Sequence, residues 1–200
     1  MQTIQHTPDA ELLALLVGGT TAKALAGKPL AELFGFVTPR QMQLGEPVAE
    51  YPIHPVLSAA KTLFLRGLQE AMQTETLSFS SPENVKAFLC GQWGHLEHEV
   101  FVCLWLDAQH RLIQSEEMFR GTIAQASVYP REVVKAALRH NAAAVIFAHN
   151  HPSGLTTPSE ADQRLTRELK QALTYVDVRV LDHFVVAGHQ ALSMAEKGLI

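Results

Sequence analysis

Two hundred residues, 47% of them hydrophobic and with a formal net charge of −4, suffice for one large domain or a medium domain with a small companion. So mild a negative balance forecasts neither a nucleic-acid nor a membrane-surface partner, and no apolar run is long enough to span a bilayer. The opening MQTIQHTPDAELL lacks a basic n-region followed by an apolar stretch, so no signal peptide is expected. The two cysteines, Cys90 in AFLCG and Cys103 in VFVCLWL, read as reduced core residues, which fits a cytoplasmic location.

Short helices are expected over the first part of the chain, residues 1–75. PDAELLALLVGG carries Leu12, Leu13, Leu16 and Val17 at helical spacing, and Gly18-Gly19 stops it. AELFGF is a second short helix. TPRQMQLGEPVAEYPIHP, rich in Pro and Gly, reads as loop or very short helix. SAAKTLFLRGLQEAMQ is the clearest helix of the set, with Ser58 as its N-cap. TLSFSSPEN marks a boundary, and Pro82 opens the helix containing VKAFLC.

Beyond that boundary, over residues 80–200, the pattern alternates. VFVCLWL and RLIQSEEMF read as two strands joined by a turn at Asp107. VYPREVVKAALRHN is a helix, AAAVIFAH a buried strand, and TPSEADQRLTRELKQALTYV a long amphipathic helix. VRVLDHFVVAG and QALSM supply the last strands. Strands alternating with helices predict an α/β domain behind a small helical N-terminal region.

The chemistry concentrates in HNHPSGLTTPSEAD, from His149 to Asp162. Residues i and i+2 of an extended segment point to one side, so His149 and His151 converge where a buried strand ends. The following helix reads as capped by Thr157, with Pro158 first and Glu160 closing a capping box. Asp162 then lies on the inward stripe with Leu165, Leu169 and Leu173. A carboxylate there is costly unless paired or bound to a cation. Two imidazoles and one carboxylate form a three-ligand zinc site with a position left for water, the catalytic arrangement. Such a water needs a proton acceptor. Glu97, Glu99, Glu116, Glu117 and Glu132 are candidates, and Glu99 is favoured because it stands at the mouth of a central strand. Ser159, one turn before Asp162, can donate to an oxyanion. HLEHE, His95 to Glu99, lacks the spacing of a helical metal motif. His183 in LDHFVV reads as a packed, hydrogen-bonded core histidine rather than as the partner of a metal ligand, and Ser153 as a loop-shaping residue.

His149-x-His151 followed by Ser159-x-x-Asp162, with Glu99 upstream at a strand start, resembles the JAMM motif of JAB/MPN metallopeptidases. LWLDAQHRLI, EEMFRGT, VYPREVVKAALRHNAAAVIFAHNHPSG and LDHFVVAG further resemble the RadC family of bacteria. The resemblance implies a JAB/MPN fold, a cytidine-deaminase-like mixed β-sheet flanked by helices. It implies zinc on His149, His151 and Asp162, Glu99 as general base and Ser159 as stabiliser of the intermediate. The implied activity is hydrolysis of a peptide, isopeptide or related amide bond in a peptide or protein-tail substrate.

DAELLALLVG also resembles the opening of RadC proteins, in which a helix-hairpin-helix follows. Here AEYPIHPVLSAAK replaces the glycine hairpin that would bring backbone amides to phosphate. Residues 1–75 carry 5 Lys/Arg against 7 Asp/Glu, the wrong sign for a phosphate-binding surface. The N-terminal region is thus a degenerate helix-hairpin-helix, and DNA binding is not expected. The alternative class is a DNA-repair-associated nucleic-acid-binding factor or a metal-dependent nuclease. The sequence leaves self-association, including a homodimer, open.

Overall fold

The computed structural model describes residues 7–36, 53–73, 82–121 and 128–200. Three short helices come first: α1 (Asp9–Val17), α2 (Gly19–Leu25) and α3 (Leu30–Leu33). Gly18 ends α1 at a φ of 80°, a conformation that glycine adopts without steric cost. The chain re-enters a helix at once, so the Gly pair separates two helices and α2 is an element the periodicity did not reveal. Leu13, Ala22, Leu33 and Leu57 form the small core of this region.

The next helix, α4 (Pro55–Gln73), starts three residues before the expected Ser58 cap. Pro55 is pre-organised for a first helical position. The Nδ1 atom of His54 accepts from Val56 N (3.3 Å), and the His54 carbonyl accepts from Leu57 N and Ser58 N. His54 therefore does the capping and Ser58 lies inside. Most of TPRQMQLGEPVAEYPIHP and the boundary residues before Pro82 lie outside the described residues.

A five-stranded sheet follows, ordered β2-β1-β3-β4-β5. Its members are β1 (Val100–Leu106), β2 (Leu112–Arg120), β3 (Ala144–Asn150), β4 (Arg179–Ala187) and β5 (Gln190–Ser193). Helix α5 (Pro82–Trp93) precedes β1, α6 (Pro130–Arg139) precedes β3, and α7 (Glu160–Thr174) crosses from β3 to β4. Only β3 and β4 run parallel; the other neighbours are antiparallel. Asp107 makes the β1–β2 turn, its Oδ1 accepting from Gln109 N and Arg111 N at 2.9 Å each.

VFVCLWL is buried at every position because helices cover both sheet faces. Val100, Val102, Leu104 and Leu106 pack with Phe88 and Leu89 of α5. Phe101, Cys103 and Trp105 pack with Val133 of α6 and Leu169 and Leu173 of α7. The same alternation runs along β3, with Ile146 and Ala148 facing α5 and Val145 and Phe147 facing α7. Both cysteines are buried and free. Where α5 ends, a Cβ on Gly94 would lie 1.9 Å from the Gly188 carbonyl oxygen. Only glycine lets the α5 terminus approach the β4–β5 turn that closely.

Candidate metal centre

The alternation on β3 decides where its last side chains go. His149 continues the phase of Val145 and Phe147, so it leaves the sheet on the α7 face, and it is 3% exposed. His151, just past the strand, is tied down by its amide, which donates to the Val186 carbonyl at 2.7 Å. The two rings lie 4.7 Å apart between centroids, and their Nε2 atoms are 3.0 Å apart. Asn150 faces the opposite way.

The loop after His151 turns at Gly154, whose φ is 83°, and delivers the chain to α7. The capping box there is not Thr157 with Glu160 but Ser159 with Asp162. Asp162 N donates to Ser159 Oγ (3.1 Å), while Ser159 N and Ser159 Oγ both donate to Asp162 Oδ2 (2.7 Å each). Both TxxE and SxxD satisfy the capping pattern. A cap at Ser159 puts Asp162 at N3, where its carboxylate can reach back to the cap; a start at Thr157 would deny it those two donors.

Asp162 Oδ1 lies 3.4 Å from His149 Nε2, and Oδ2 lies 3.7 Å from His151 Nε2. One ligand atom from each of His149, His151 and Asp162 falls within 4.8 Å of the others. Burial alone would raise the Asp162 pKa, but the imidazoles of His149 and His151 that face it, favourable to a carboxylate when protonated, and the Ser159 hydroxyl hold it far below the usual carboxylate range. The facing Asp162 carboxylate raises the His151 pKa against its burial, and the charge of Glu99 contributes in the same direction.

Whether a cation suits this cluster follows from hydrogen-bond logic. His151 Nδ1 lies 2.7 Å from the Leu155 carbonyl, which can only accept, so that nitrogen carries the hydrogen. A neutral His151 then turns a bare Nε2 lone pair toward His149 Nε2. Two imidazole nitrogens and a carboxylate oxygen meeting this closely need a proton or a cation between them. The donor set N, N, O suits zinc and related divalent ions.

The favoured Glu99 stands one residue before β1 and is half-buried. Phe101 pairs with His149, so extending that register outward sets Glu99 opposite His151, on the α7 face. Its carboxylate is not one of the clustered ligand atoms. The rival glutamates are engaged elsewhere. Glu116 accepts from Trp105 Nε1 (3.1 Å) and Arg139 (2.5 Å) and pairs with His140 (2.9 Å). Glu117 pairs with Arg120, and Glu132 with Lys135. Glu97 is exposed. Ser159 is also exposed, and its hydroxyl hydrogen goes to Asp162. Burial, then the Lys61 charge, pushes the His95 pKa down to about 4. His95 and His98 gain no carboxylate to form a metal cluster among the described residues.

Two residues around the centre, Thr166 and Asn150, carry no signal in the sequence pattern, and His183 has a partner that the pattern did not show. His183, expected as a core histidine, is fully buried against Phe101 and Phe147. It is also the hydrogen-bond partner of His149, with Nε2 2.8 Å from His149 Nδ1. Thr166 lies one turn after Asp162 on the buried stripe of α7, a polar β-branched residue among leucines. Asn150 looked idle because it points away from the metal ligands. Its Oδ1 accepts from Val100 N (2.8 Å), and its Nδ2 donates to the carbonyls of His98 (3.0 Å) and Leu96 (3.3 Å). It clamps the segment that carries Glu99. Asn150→Ala should therefore destabilise the protein by about 3 kcal/mol, since it strands one buried amide and two carbonyls. Urea denaturation measures this; a loss below about 1 kcal/mol would mean that other contacts hold the segment.

Residues 79–199 match the family model described as a RadC-like JAB domain. The chain is similar to the UPF0758 protein of Nitrosomonas eutropha, at 48% identity over 203 residues, covering 96% of this chain and 89% of that protein. It is 50% identical over 205 residues to the UPF0758 protein of a Polaromonas species, with the same coverage. The UPF0758 protein of Dechloromonas aromatica is 58% identical over 145 residues, or 72% of this chain and 64% of the relative.

Proposed function

Because the chain belongs to the RadC-like JAB domain family, we propose that it is a zinc-dependent hydrolase of the JAMM metallopeptidase type, cleaving a peptide, isopeptide or related amide bond. The observation that carries this reading is the convergence of His149, His151 and Asp162 from two different elements onto one point. Zinc bound there supplies a water that ionises near neutral pH and a Lewis acid for the amide carbonyl.

The surrounding residues have separate tasks. Glu99, facing the same side as both histidines, takes the proton of the attacking water on its carboxylate and returns it to the leaving amine. Ser159 Oγ, exposed beside Asp162, donates to the developing oxyanion and must release Asp162 Oδ2 to do so. The α7 N-terminus, with Asp162 locked in its capping box, keeps the carboxylate from following the substrate. We assign residues 1–75 to a helical N-terminal region and residues 80–200 to the hydrolase domain, against whose core Leu68 of α4 packs. We take the substrate to be a flexible peptide or protein tail, and the two free, buried cysteines favour work in a reducing cytoplasm. Among the described residues no helix is long and apolar enough to cross a membrane.

The test is to incubate the zinc-loaded protein with degenerate peptides and lysine-linked isopeptides and to identify products by mass spectrometry. Cleavage that 1,10-phenanthroline suppresses and zinc restores is expected; no cleavage of any amide by fully loaded protein overturns the reading. The nuclease or DNA-binding alternative predicts cut phosphodiesters, or a DNA affinity that falls steeply with salt. The acidic balance of residues 1–75 opposes it.

A further inference from the structure

The path of hydrogen bonds leaving His149 on the side away from Asp162 has a definite direction. It begins at a group that can only accept, the backbone carbonyl of Asp162. Thr166 Oγ1 lies 2.6 Å from that oxygen, so the hydroxyl spends its one hydrogen there. The same hydroxyl lies 2.6 Å from His183 Nδ1 and, with its hydrogen committed, must accept. His183 Nδ1 therefore carries a hydrogen. The ring is fully buried and, among the described residues, meets a hydroxyl and another imidazole but no carboxylate, so a second hydrogen would leave an uncompensated buried charge, and its Nε2 is the acceptor. His149 Nδ1, 2.8 Å away, must donate. That leaves His149 Nε2 without hydrogen, facing His151 and Asp162.

We propose that His183 and Thr166 are positioning residues that fix the tautomer of His149, through the one-way chain His149 Nδ1–H to His183 Nε2, His183 Nδ1–H to Thr166 Oγ1, and Thr166 O–H to the Asp162 carbonyl. The proposal deepens the metallohydrolase reading and rests on it for the purpose of the free nitrogen. The chain starts and ends on two of the three metal-site residues, so the backbone of one ligand sets the protonation of another. His151 reaches the same state in a single step through the Leu155 carbonyl. His149 sits on a buried strand, and its Nδ1 is turned to His183 rather than to a loop carbonyl, so its hydrogen is set from farther away.

A break in the chain has a specific consequence. Thr166→Val keeps the shape and removes the acceptor of His183 Nδ1–H. The hydrogen of His183 then moves to Nε2, which makes it a donor to His149 Nδ1. The His149 hydrogen is driven to Nε2, where it blocks the metal. Thr166→Ser retains the hydroxyl and should leave the chain intact.

The experiment uses the full chain with 15N-labelled histidine. Long-range proton–nitrogen spectra of the metal-free protein at mildly alkaline pH report the tautomer of each ring. His149 and His183 should both carry a hydrogen on Nδ1, with none on His183 Nε2. In Thr166→Val, His149 and His183 should shift to the Nε2–H form, and zinc affinity measured by chelator competition should fall about 10–100-fold. Thr166→Ser should match the parent in both. A parent His183 in the Nε2–H form overturns the proposal, as does a folded Thr166→Val protein with parental tautomers and zinc affinity. Should Thr166→Val fail to fold, the parent and Thr166→Ser spectra decide. A parent with the expected tautomers that binds no zinc would uphold the chain and overturn the hydrolase reading instead.

Discussion

Asp162→Ala should weaken zinc binding by more than about 100-fold, beyond the typical loss for a residue that only supports a ligand. The carboxylate offers one of the three ligand atoms that lie within 4.8 Å of one another. The two imidazoles alone leave the ion short of a ligand and uncompensated in charge. The same substitution removes half of a capping box, at a cost of about 1 kcal/mol, which a folded domain tolerates. Leu169 and Leu173, both fully buried, still anchor α7 to the sheet. Asp162→Asn separates the two roles: its amide oxygen can keep the bond from Ser159 N, while a neutral amide is a poor zinc ligand. Asp162→Asn should therefore unfold close to the parent in urea yet hold zinc nearly as weakly as Asp162→Ala. Metal content by mass spectrometry and affinity by chelator competition check both, and Asp162→Ala with zinc affinity within tenfold of the parent would sink the site.

The parts of this site that could be read in advance were those set by local periodicity. The strand Ala144–Asn150 shows itself by apolar, β-branched content, and the i, i+2 rule brings His149 and His151 together without knowledge of the rest of the fold. The α7 stripe likewise turns Asp162 inward. The helix start was harder, because TTPSEAD contains two overlapping capping patterns, and the choice depends on what the Asp162 carboxylate meets across the cleft. The pairing of His183 with His149 was hidden for a topological reason. Val145 pairs with Val180, but Ile146 pairs with Asp182, so β4 holds one extra residue at that point. Val180 and His183 thus both face α7, while Leu181 packs on the α5 side. Strict alternation from Val180 would put His183 on the wrong face, and a bulge of this kind leaves no mark in hydrophobic pattern. Asn150 was overlooked for the complementary reason. Its partners, Leu96, His98 and Val100, lie about fifty residues back along the chain, a pairing that only strand order reveals.

Glu99→Gln should retain zinc and lose hydrolysis by about 10²–10⁴-fold, the usual contribution of a positioned general base. The substitution is isosteric, and the backbone bond from Gly121 N to the Glu99 carbonyl (2.8 Å) is unaffected. Asn150 continues to hold Val100, so the mouth of β1 keeps its place. What disappears is one proton acceptor and one negative charge. The charge has its own readout, because Glu99 helps to raise the His151 pKa. In the metal-free protein the His151 titration should move to lower pH in Glu99→Gln, since a lost carboxylate disfavours the imidazolium. Turnover on whichever amide the zinc-loaded parent cleaves, zinc stoichiometry and the His151 titration separate three cases. Lost turnover with zinc retained and the His151 titration lowered assigns the base to Glu99. Lost zinc would make Glu99 a ligand, and parental turnover would move the base elsewhere. The last outcome would point to Glu97, since Glu116, Glu117 and Glu132 are committed to partners of their own.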